Sequence, residues 1–569
     1  MTRFLFLLVL STLLASCGGG GGNPGTCSGS QQYCAQSVST STSSSGSTSS
    51  STYIEPPVQD ATSVAQQCAA PRPAGTLDPF TQDVYQDVQG SLTAEKLWVR
   101  AMVNDTYLWY KDVVPLDPER FNIGLSAPYI EPSNNSARTI TLMTNFDVVD
   151  TYFNSQRSLL TTASGKPKDQ FHFTYKTSDW SALSTAGSSV GFGLNVELLS
   201  SRPPRVIVVS YPEPGSPATA QRLTRGVKFV TIDGVDVATG DPAVLNEALF
   251  SPVAGKQYSF SVLDVGSNVP RTVVMEAKGV TSTPVQNVRT LPAPYNGVGY
   301  MQFNDHIATA EAQLIAAVSQ LKSANAGDGV SDLVLDLRYN GGGLLDIASE
   351  LAYMIAGPSM TSGKTFERTS FNEKNPFGLT EAQATTGFLG VTQGFSTPRG
   401  QVLPQLGLSR VFIITGAGTC SASEAIINGL NGVGVRVILI GDTTCGKPYG
   451  FYPLDNCGVT FFAIQFKGVN QLGFGDYADG FMPGGSGGLA NQLPGCKVGD
   501  DFSKPLGDPS EARLAAALRY RDSGICPAAS STLKAVIQEA DRDPWLHGKS
   551  AVRTNRIYSP RGVGSRSWH

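Results

Sequence analysis

The chain carries few charges and very few histidines for its length. Of its 569 residues only 15% are Asp, Glu, Lys or Arg, and the net charge is −4. A nucleic-acid-binding protein needs a clustered excess of basic residues, so this composition argues against a nucleic-acid partner. The chain also has only four histidines and no Cys-x-x-Cys pair. Zinc sites are built from such residues, so we expect no metal and no cofactor.

One segment has part of the pattern of a nucleotide-binding loop, but the pattern is incomplete. The segment from Gly441 to Lys447 has the spacing G-x-x-x-x-G-K, but the next residue is Pro448. A P-loop needs Ser or Thr at that position because the hydroxyl binds Mg²⁺, and proline offers neither a hydroxyl nor an amide N–H. Lys447 therefore requires another explanation.

The first 17 residues have the pattern of an export signal. Arg3 precedes an apolar run that is too short to span a bilayer as a mature helix, and the run ends in Leu-Ala-Ser-Cys17. This tetrapeptide resembles a bacterial lipobox, whose cysteine becomes the lipid-modified N terminus. Gly18 follows instead of Asp, which in the resembling lipoproteins favours the outer membrane. We therefore expect a lipid-anchored protein of the cell envelope, facing the periplasm or the cell surface.

Eight cysteines remain once Cys17 is set aside. An even number in an exported chain predicts up to four disulfides. The short sequence separations favour the pairs Cys445–Cys457 and Cys496–Cys526. Cys420 is expected to pair or to pack, because no base is evident that would make its thiol a nucleophile.

Composition divides the chain into segments. After the signal peptide (1–17) we expect a Gly/Ser/Thr-rich tether over 18–67, which predicts a flexible spacer. The following ranges predict a helical domain (68–185), a β-rich domain (186–280), an α/β domain (285–526) and a basic, partly disordered C-terminal extension (527–569).

Residues 186–280 contain short β-branched strands separated by Gly and Pro. The segment Gly191-Phe192-Gly193-Leu194 and the later run Ile232-Asp233-Gly234 resemble a PDZ domain, in which the first segment is the carboxylate-binding loop. Successive loop amides form an anion-binding nest, and the adjoining strand edge can pair with an extended peptide. The resemblance implies that this domain binds the free C terminus of a peptide.

Three later stretches, 332–355, 410–430 and 435–447, each run from an apolar strand into a turn of small residues. Strand, helix and strand at this spacing predict βαβ units with parallel strands and right-handed crossovers. A further strand is expected over 297–305. The carboxyl ends of parallel strands share one rim, where sites form in α/β sheets. That rim receives Gly342, Gly343, Ser421 and Lys447.

These residue types suit acyl transfer. Ser421 begins a predicted helix, whose amide groups and dipole favour a developing oxyanion. A serine needs a base, and a buried lysine can be neutral because desolvation disfavours its charged form. Glycines at 342 and 343 would let backbone amides approach a reacting carbonyl. Two alternatives stay open: Ser421 as an ordinary helix cap, and His306 as the base.

The stretches "LDLRYNGGGLL", "GTCSASEAI" and "IGDTTCGK" resemble the S41 C-terminal-processing, or tail-specific, serine peptidases over roughly residues 90–520. The resemblance implies an α/β, multidomain fold with a PDZ domain and a ClpP/crotonase-like catalytic core. It implies Ser421 as nucleophile, Lys447 as general base, and Ala422 with Gly342 or Gly343 as the oxyanion hole. The substrates would be proteins or peptides with free C termini. The alternative function is an inactive PDZ/S41-like scaffold that only binds peptides.

Two positions depart from that family. Its Phe-Gly-Lys is Cys445-Gly446-Lys447 here, and the glutamine often found four residues after the lysine is Phe451. The family's glutamine helps to orient the lysine. A disulfide from Cys445 to Cys457 is a hypothesis for what stiffens the lysine loop in its place.

If Cys17 carries lipid, the mature protein is expected to partition into the detergent phase of a Triton X-114 separation, because acyl chains bury apolar surface in micelles. The Cys17→Ala variant is expected in the aqueous phase. Finding the cleaved wild-type protein unmodified in the soluble periplasmic fraction would contradict the prediction.

Overall fold

The computed structural model describes residues 53–78, 82–200, 202–484 and 489–528. The signal peptide with Cys17, the tether up to residue 52 and the extension from residue 529 lie outside the described residues. Tyr53 and the residues after it belong to the packed body, and Ala61 and Val64 are buried. Part of the range 18–67 that composition assigns to the tether therefore packs against the N-terminal domain. Among the described residues, no helix combines the length and the apolar character that crossing a bilayer requires.

The N-terminal domain combines helices with short strands. Its elements are α1 (Ala61–Val64), β1 (Gln67–Cys68), β2 (Val88–Gln89), α2 (Leu92–Thr106), β3 (Ser126–Ile130), β4 (Ala137–Thr141), α3 (Asn145–Asn154), β5 (Phe173–Lys176) and α4 (Thr177–Ala186). Polar caps fix where the longer helices begin. The Ser91 hydroxyl accepts from the Ala94 amide before α2, and Thr144 with Asp147 forms a capping box before α3.

The β-domain follows directly. Its elements are β6 (Ser188–Gly191), β7 (Leu194–Ser200), β8 (Val206–Pro212), α5 (Pro217–Ala220), β9 (Lys228–Ile232), β10 (Val235–Asp236), α6 (Pro242–Phe250), β11 (Gln257–Leu263), β12 (Arg271–Glu276) and β13 (Lys278–Thr281). Its main sheet is antiparallel, in the order β12-β11-β9-β8-β7 with β10 beside β9, so β7 is an edge strand. Phe192, Phe229 and Phe260 pack in its core.

The remaining elements form the α/β core. They are β14 (Val285–Thr290), β15 (Val298–Phe303), α7 (Ala310–Lys322), β16 (Asp332–Asp336), α8 (Leu345–Ala356), α9 (Pro358–Thr361), β17 (Thr365–Phe371), β18 (Thr385–Gly387), β19 (Arg410–Thr415), α10 (Ala422–Gly432), β20 (Arg436–Gly441), β21 (Tyr449–Gly450), β22 (Leu454–Asn456), β23 (Val459–Phe462), β24 (Phe466–Val469), β25 (Met482–Pro483), β26 (Gln492–Leu493), β27 (Gly495–Lys497) and α11 (Ala512–Ser523).

The central sheet has the order β14-β15-β16-β19-β20-β27, and every neighbouring pair except β14 with β15 is parallel. Alternate residues of each strand face opposite sides, as the period of two requires. Leu333 and Leu335 of β16 pack with α8 and α10, whereas Val334 packs with α11 on the other face. The predicted β19-α10-β20 unit and the strand over 297–305 are confirmed.

The N-terminal domain is joined to the core by strand pairing. β5 pairs with β23, which places Phe173 opposite Phe462 in a three-stranded sheet with β22. The Cys68–Cys457 disulfide closes the same junction. Residues 167–176 are thereby held against the core, where they reach the rim described below.

One of the two predicted disulfides is confirmed and the other is wrong. Cys496 pairs with Cys526. Cys445 pairs with Cys420 instead of Cys457, because the β22-β23 hairpin carries Cys457 to the N-terminal domain. Proximity in sequence does not decide the pairing when a hairpin turn projects a cysteine towards another domain.

Buried charges connect the β-domain to the core. Arg225 of the β-domain donates to Asp500 (2.7 Å) and to the Tyr339 hydroxyl (2.6 Å), and Arg338 donates to the same carboxylate (2.6 Å). Arg338 also makes a bidentate pair with Glu511. The cluster lies where the chain leaves β16, so the segment that continues to Gly342 is fixed at its start.

Candidate active site

Ser421 lies in the turn between β19 and α10, at the carboxyl ends of the parallel strands. Its backbone has φ 60° and ψ −115°, which is strained for a residue other than glycine. The side chain is fully buried, and its Oγ has no hydrogen-bond partner among the described residues. The turn has the arrangement of a capping box, in which the serine side chain faces the Glu424 amide, but that amide makes no close hydrogen bond to the Oγ. The structure therefore favours a hydroxyl that is kept available.

The Glu424 carboxylate links the serine turn to the lysine loop. Its Oε2 accepts from the Ser421 amide (2.9 Å) and from the Lys447 amide (2.8 Å). Its Oε1 accepts from the Gly446 amide (2.9 Å) and the Thr444 hydroxyl (2.5 Å). The backbone nitrogens of Ser421 and Lys447 are therefore neighbours around one oxygen atom.

Burial raises the pKa of Glu424, and the four hydrogen bonds oppose that effect. Because donors occupy both oxygens, the geometry fits an ionised carboxylate. The sequence analysis did not identify this residue. The signal was present in the three-residue spacing between Ser421 and Glu424, which is that of a capping box.

Lys447 is fully buried beside two aromatic rings. Its Nζ lies 4.4 Å from the centre of the Phe451 ring and 4.6 Å from that of Phe171. Burial lowers the pKa of Lys447 well below its usual 10.5, although the negative charges of Asp169 and Glu424 oppose the shift. The neutral amine that a general base requires is favoured here. Phe451, which stands where the family often has glutamine, forms one wall of this pocket.

The other wall comes from the N-terminal domain. Phe171 and Asp169 belong to the segment before β5. Asp169 is buried, accepts from the Tyr107 hydroxyl (2.6 Å) and lies 3.3 Å from His172 Nδ1. The lysine pocket is therefore composed of two domains.

Gly342 and Gly343 form the opposite side of the rim. Their φ values are 101° and 135°, and a Cβ on Gly342 would lie 2.8 Å from Ser421 Cβ and 2.9 Å from the Ala422 nitrogen. Only glycine permits this approach. The Gly342 amide donates to Asn340 Oδ1 (3.0 Å), whereas the amides of Gly343 and Ala422 have no acceptor among the described residues. Gly343 and Ala422 are thus the available pair of donors.

His306 lies behind this glycine loop. Its backbone bridges to Gly343, and its Nδ1 is 3.0 Å from Asn340 Oδ1. Burial lowers the pKa of His306 to about 3. At neutral pH such an imidazole is uncharged and weakly basic, so the structure assigns it to the support of the loop more readily than to proton transfer.

A possible metal-binding group also adjoins the site. The ligand atoms of Cys420, Glu424 and Cys445 lie within 4.8 Å of one another. The two sulfurs form a disulfide, so neither is available as a thiolate ligand while that bond is intact.

The segment 191–194 lies in the β-domain, where the chain passes from β6 to edge strand β7. The Phe192 side chain is buried in the domain core, and Gly193 has φ 69°. The carbonyl of Phe192 accepts from the Ala218 amide (2.9 Å), and that of Gly193 from the Glu213 amide (2.7 Å).

Comparison with known proteins agrees with this geometry. Residues 297–451 match the sequence profile of peptidase family S41. This segment of the chain is therefore similar to the S41 peptidases. The S41 segment contains the glycine loop, Ser421, Glu424 and Lys447.

Three further similarities extend beyond the S41 segment. The chain is 29% identical over 270 residues to a carboxyl-terminal-processing protease of Picosynechococcus sp. PCC 7002, covering 47% of this chain and 56% of that protein. A carboxyl-terminal-processing protease of Synechocystis sp. PCC 6803 is 26% identical over 267 residues, which cover 47% of this chain and 54% of the relative. The chain thus spans about half the length of the curated relatives it matches. A crystal structure assigned to the S41 proteases, from Bacteroides fragilis NCTC 9343, superposes with a TM-score of 0.54 at 21% identity, covering 78% of this chain and 99% of the other.

Removal of the charge on Asp169 is expected to lower the pKa of Lys447 further, because that charge favours the ammonium form. The rate at which a fluorophosphonate labels Ser421 is measured as a function of pH. In Asp169→Asn the acid limb of this pH profile should therefore move to lower pH. Asparagine keeps an oxygen that can accept from the Tyr107 hydroxyl. Asp150→Asn, which alters a partly buried carboxylate bonded to the Thr174 hydroxyl, is the matched control and should leave that limb of the pH profile in place. An unchanged limb in Asp169→Asn would contradict the prediction.

Proposed function

We propose that this protein is a serine endopeptidase of the tail-specific type, acting on proteins or peptides with free C termini. The observation that carries the proposal is the joint placement, around the Glu424 carboxylate, of a buried lysine and a serine oxygen that has no hydrogen-bond partner in the described part of the chain. The named activity of the relatives, carboxyl-terminal processing, supports the substrate class.

The residues suit a Ser-Lys mechanism. Neutral Lys447 accepts the proton from Ser421 Oγ as that oxygen attacks the scissile carbonyl carbon. The carbonyl oxygen becomes negative and is stabilised by the amides of Gly343 and Ala422. The Lys447 ammonium then gives its proton to the leaving amine, which breaks the peptide bond and leaves an acyl-enzyme on Ser421. Water, deprotonated by the same lysine, hydrolyses the ester.

The β-domain is proposed to act as a PDZ domain that holds the substrate's C terminus. In a trans peptide the C=O and the following N–H point in opposite directions. The carbonyls of Phe192 and Gly193 bond inward to Ala218 and Glu213, so the amides of Gly193 and Leu194 are directed away from those partners. Two such amides beside the edge of β7 suit a terminal carboxylate and an added strand. Lipid anchoring through Cys17 completes the proposal and rests on the sequence.

Ser421→Ala is expected to lower kcat/KM for a peptide substrate by about 10⁴-fold or more, because nucleophile and base act as one unit. Lys447→Ala and Lys447→Arg are expected to lose nearly as much, since arginine stays protonated and cannot accept a proton. In the wild type, activity should rise with pH through the lowered pKa of Lys447, above which the amine is neutral. Lys497→Ala, at an exposed lysine on β27 that pairs with Asp442, is the control.

The decisive measurement is labelling of Ser421 by a fluorophosphonate together with peptide cleavage. A Lys447→Arg variant that cleaves at nearly the wild-type rate would falsify the dyad. A wild-type protein that binds peptides but is not labelled would instead be the inactive scaffold.

A peptide with a free C terminus is expected to bind more tightly than its amidated form, because amidation removes the charge that the loop amides bond. A hydrogen bond to a charged group contributes about 1.5–3 kcal/mol, which corresponds to a preference of about tenfold or more. Isothermal titration calorimetry of both peptides with the Ser421→Ala variant, which cannot cleave them, measures this difference in affinity. Equal affinities would remove C-terminal capture from the proposal and leave the peptidase chemistry standing.

A further inference from the structure

The Cys420–Cys445 disulfide joins the two segments that carry the proposed nucleophile and base. Cys420 immediately precedes Ser421, and Cys445 lies two residues before Lys447, with 5.2 Å between their α-carbons. Backbone bonds reinforce the junction: the Cys420 amide donates to the Asn340 carbonyl (3.1 Å), and the Cys445 amide donates to the Thr419 carbonyl (3.0 Å).

The disulfide also contacts the carboxylate on which the site is built. Cys445 Sγ lies 3.4 Å from Glu424 Oε2, the oxygen that accepts from the amides of Ser421 and Lys447. The lysine loop lacks the family's orienting glutamine, because Phe451 occupies that position and contributes an apolar ring. The disulfide is the covalent link between the two loops.

We propose that the Cys420–Cys445 disulfide positions Lys447 relative to Ser421 and Glu424, and that its reduction switches the peptidase off. This inference rests on the proposed function. A disulfide holds its sulfurs about 2.05 Å apart, whereas non-bonded heavy atoms of this kind separate by about 3.5–4.0 Å. Reduction removes this constraint, so the two sulfurs can separate by more than an ångström and only non-covalent contacts then hold the lysine loop against the serine turn. A catalytic group misplaced by about 1 Å loses on the order of 10²-fold in rate.

The exchange reaction needs a dithiol reductant and can start at Cys445, which is partly exposed, whereas Cys420 is buried. A thiolate of the reductant attacks Cys445 Sγ, and the S–S bond breaks with Cys420 as the leaving thiolate, which takes up a proton. The second thiol of the reductant then attacks the mixed disulfide and releases Cys445. The protein gains two electrons and two protons, and the dithiol becomes a cyclic disulfide.

The chain contains its own matched controls. The Cys496–Cys526 disulfide joins β27 to the segment after α11, and Cys68–Cys457 joins the N-terminal domain to the β22-β23 hairpin. Neither includes a residue next to Ser421 or Lys447. A general effect of reductant on stability would involve these bonds, whereas a specific effect requires Cys420 and Cys445.

The test compares oxidised, dithiothreitol-reduced and re-oxidised wild-type protein, with the free cysteines identified by alkylation and mass spectrometry on quenched aliquots. The expected result is a drop of about 10²-fold in fluorophosphonate labelling and in kcat on reduction, with KM changed little and recovery on re-oxidation. Cys496→Ala/Cys526→Ala and Cys68→Ala/Cys457→Ala should each respond to the reductant as the wild type does. Cys420→Ala/Cys445→Ala should label slowly in both conditions and show no response.

The outcomes separate the two proposals. If the oxidised protein labels and the protein with free Cys420 and Cys445 labels equally fast, the disulfide inference is wrong and the proposed peptidase stands. The same holds if sensitivity to reductant disappears in Cys496→Ala/Cys526→Ala. If the oxidised protein does not label at all, both proposals fail. The reduced wild type decides the matter even if the Cys420→Ala/Cys445→Ala variant does not fold, provided that its thermal unfolding shows the reduced wild type to be folded.

Discussion

The site depends on one buried carboxylate. Glu424 accepts from the amides of Ser421, Gly446 and Lys447, and these bonds bring together two loops that follow different strands of the sheet. An ionised group removed from water is stable only while its donors remain in place, so the carboxylate restrains all of them at once. The strained backbone of Ser421 persists because that network and the adjacent disulfide fix both sides of the turn.

Burial decides the chemistry of the groups around this carboxylate. It disfavours the ammonium form of Lys447 and leaves the Ser421 hydroxyl without a partner among the described residues. The N-terminal domain supplies part of that burial through Phe171, and it adjusts the lysine's charge through Asp169. The catalytic domain therefore needs the pairing of β5 with β23 to complete its own site.

The β-domain is attached to the α/β core by buried ion pairs. Arg225, Arg338 and Asp500 form a buried ion cluster, supported by Glu511, at the start of the segment that leads to the glycine loop. Removing one member would leave its partners buried without a counter-charge, which costs more than the pair contributes when intact. The ion cluster thus joins the β-domain to the segment that leads to the glycine loop.

The sequence alone determined the α/β class, the parallel strands and the placement of Ser421, Lys447 and the glycines on one rim, because strand periodicity and crossover handedness are local rules. It favoured the Cys496–Cys526 pair, although the same criterion of short sequence separation gave the wrong partner for Cys445. Tertiary structure decided what joins distant segments: the partner of Cys445, the contribution of Asp169 to the lysine pocket, and the choice of Gly343 over Gly342 as an available donor. These contacts depend on how the domains pack, as does the Cys68–Cys457 disulfide, whose cysteines are 389 residues apart in sequence. No local sequence pattern encodes domain packing.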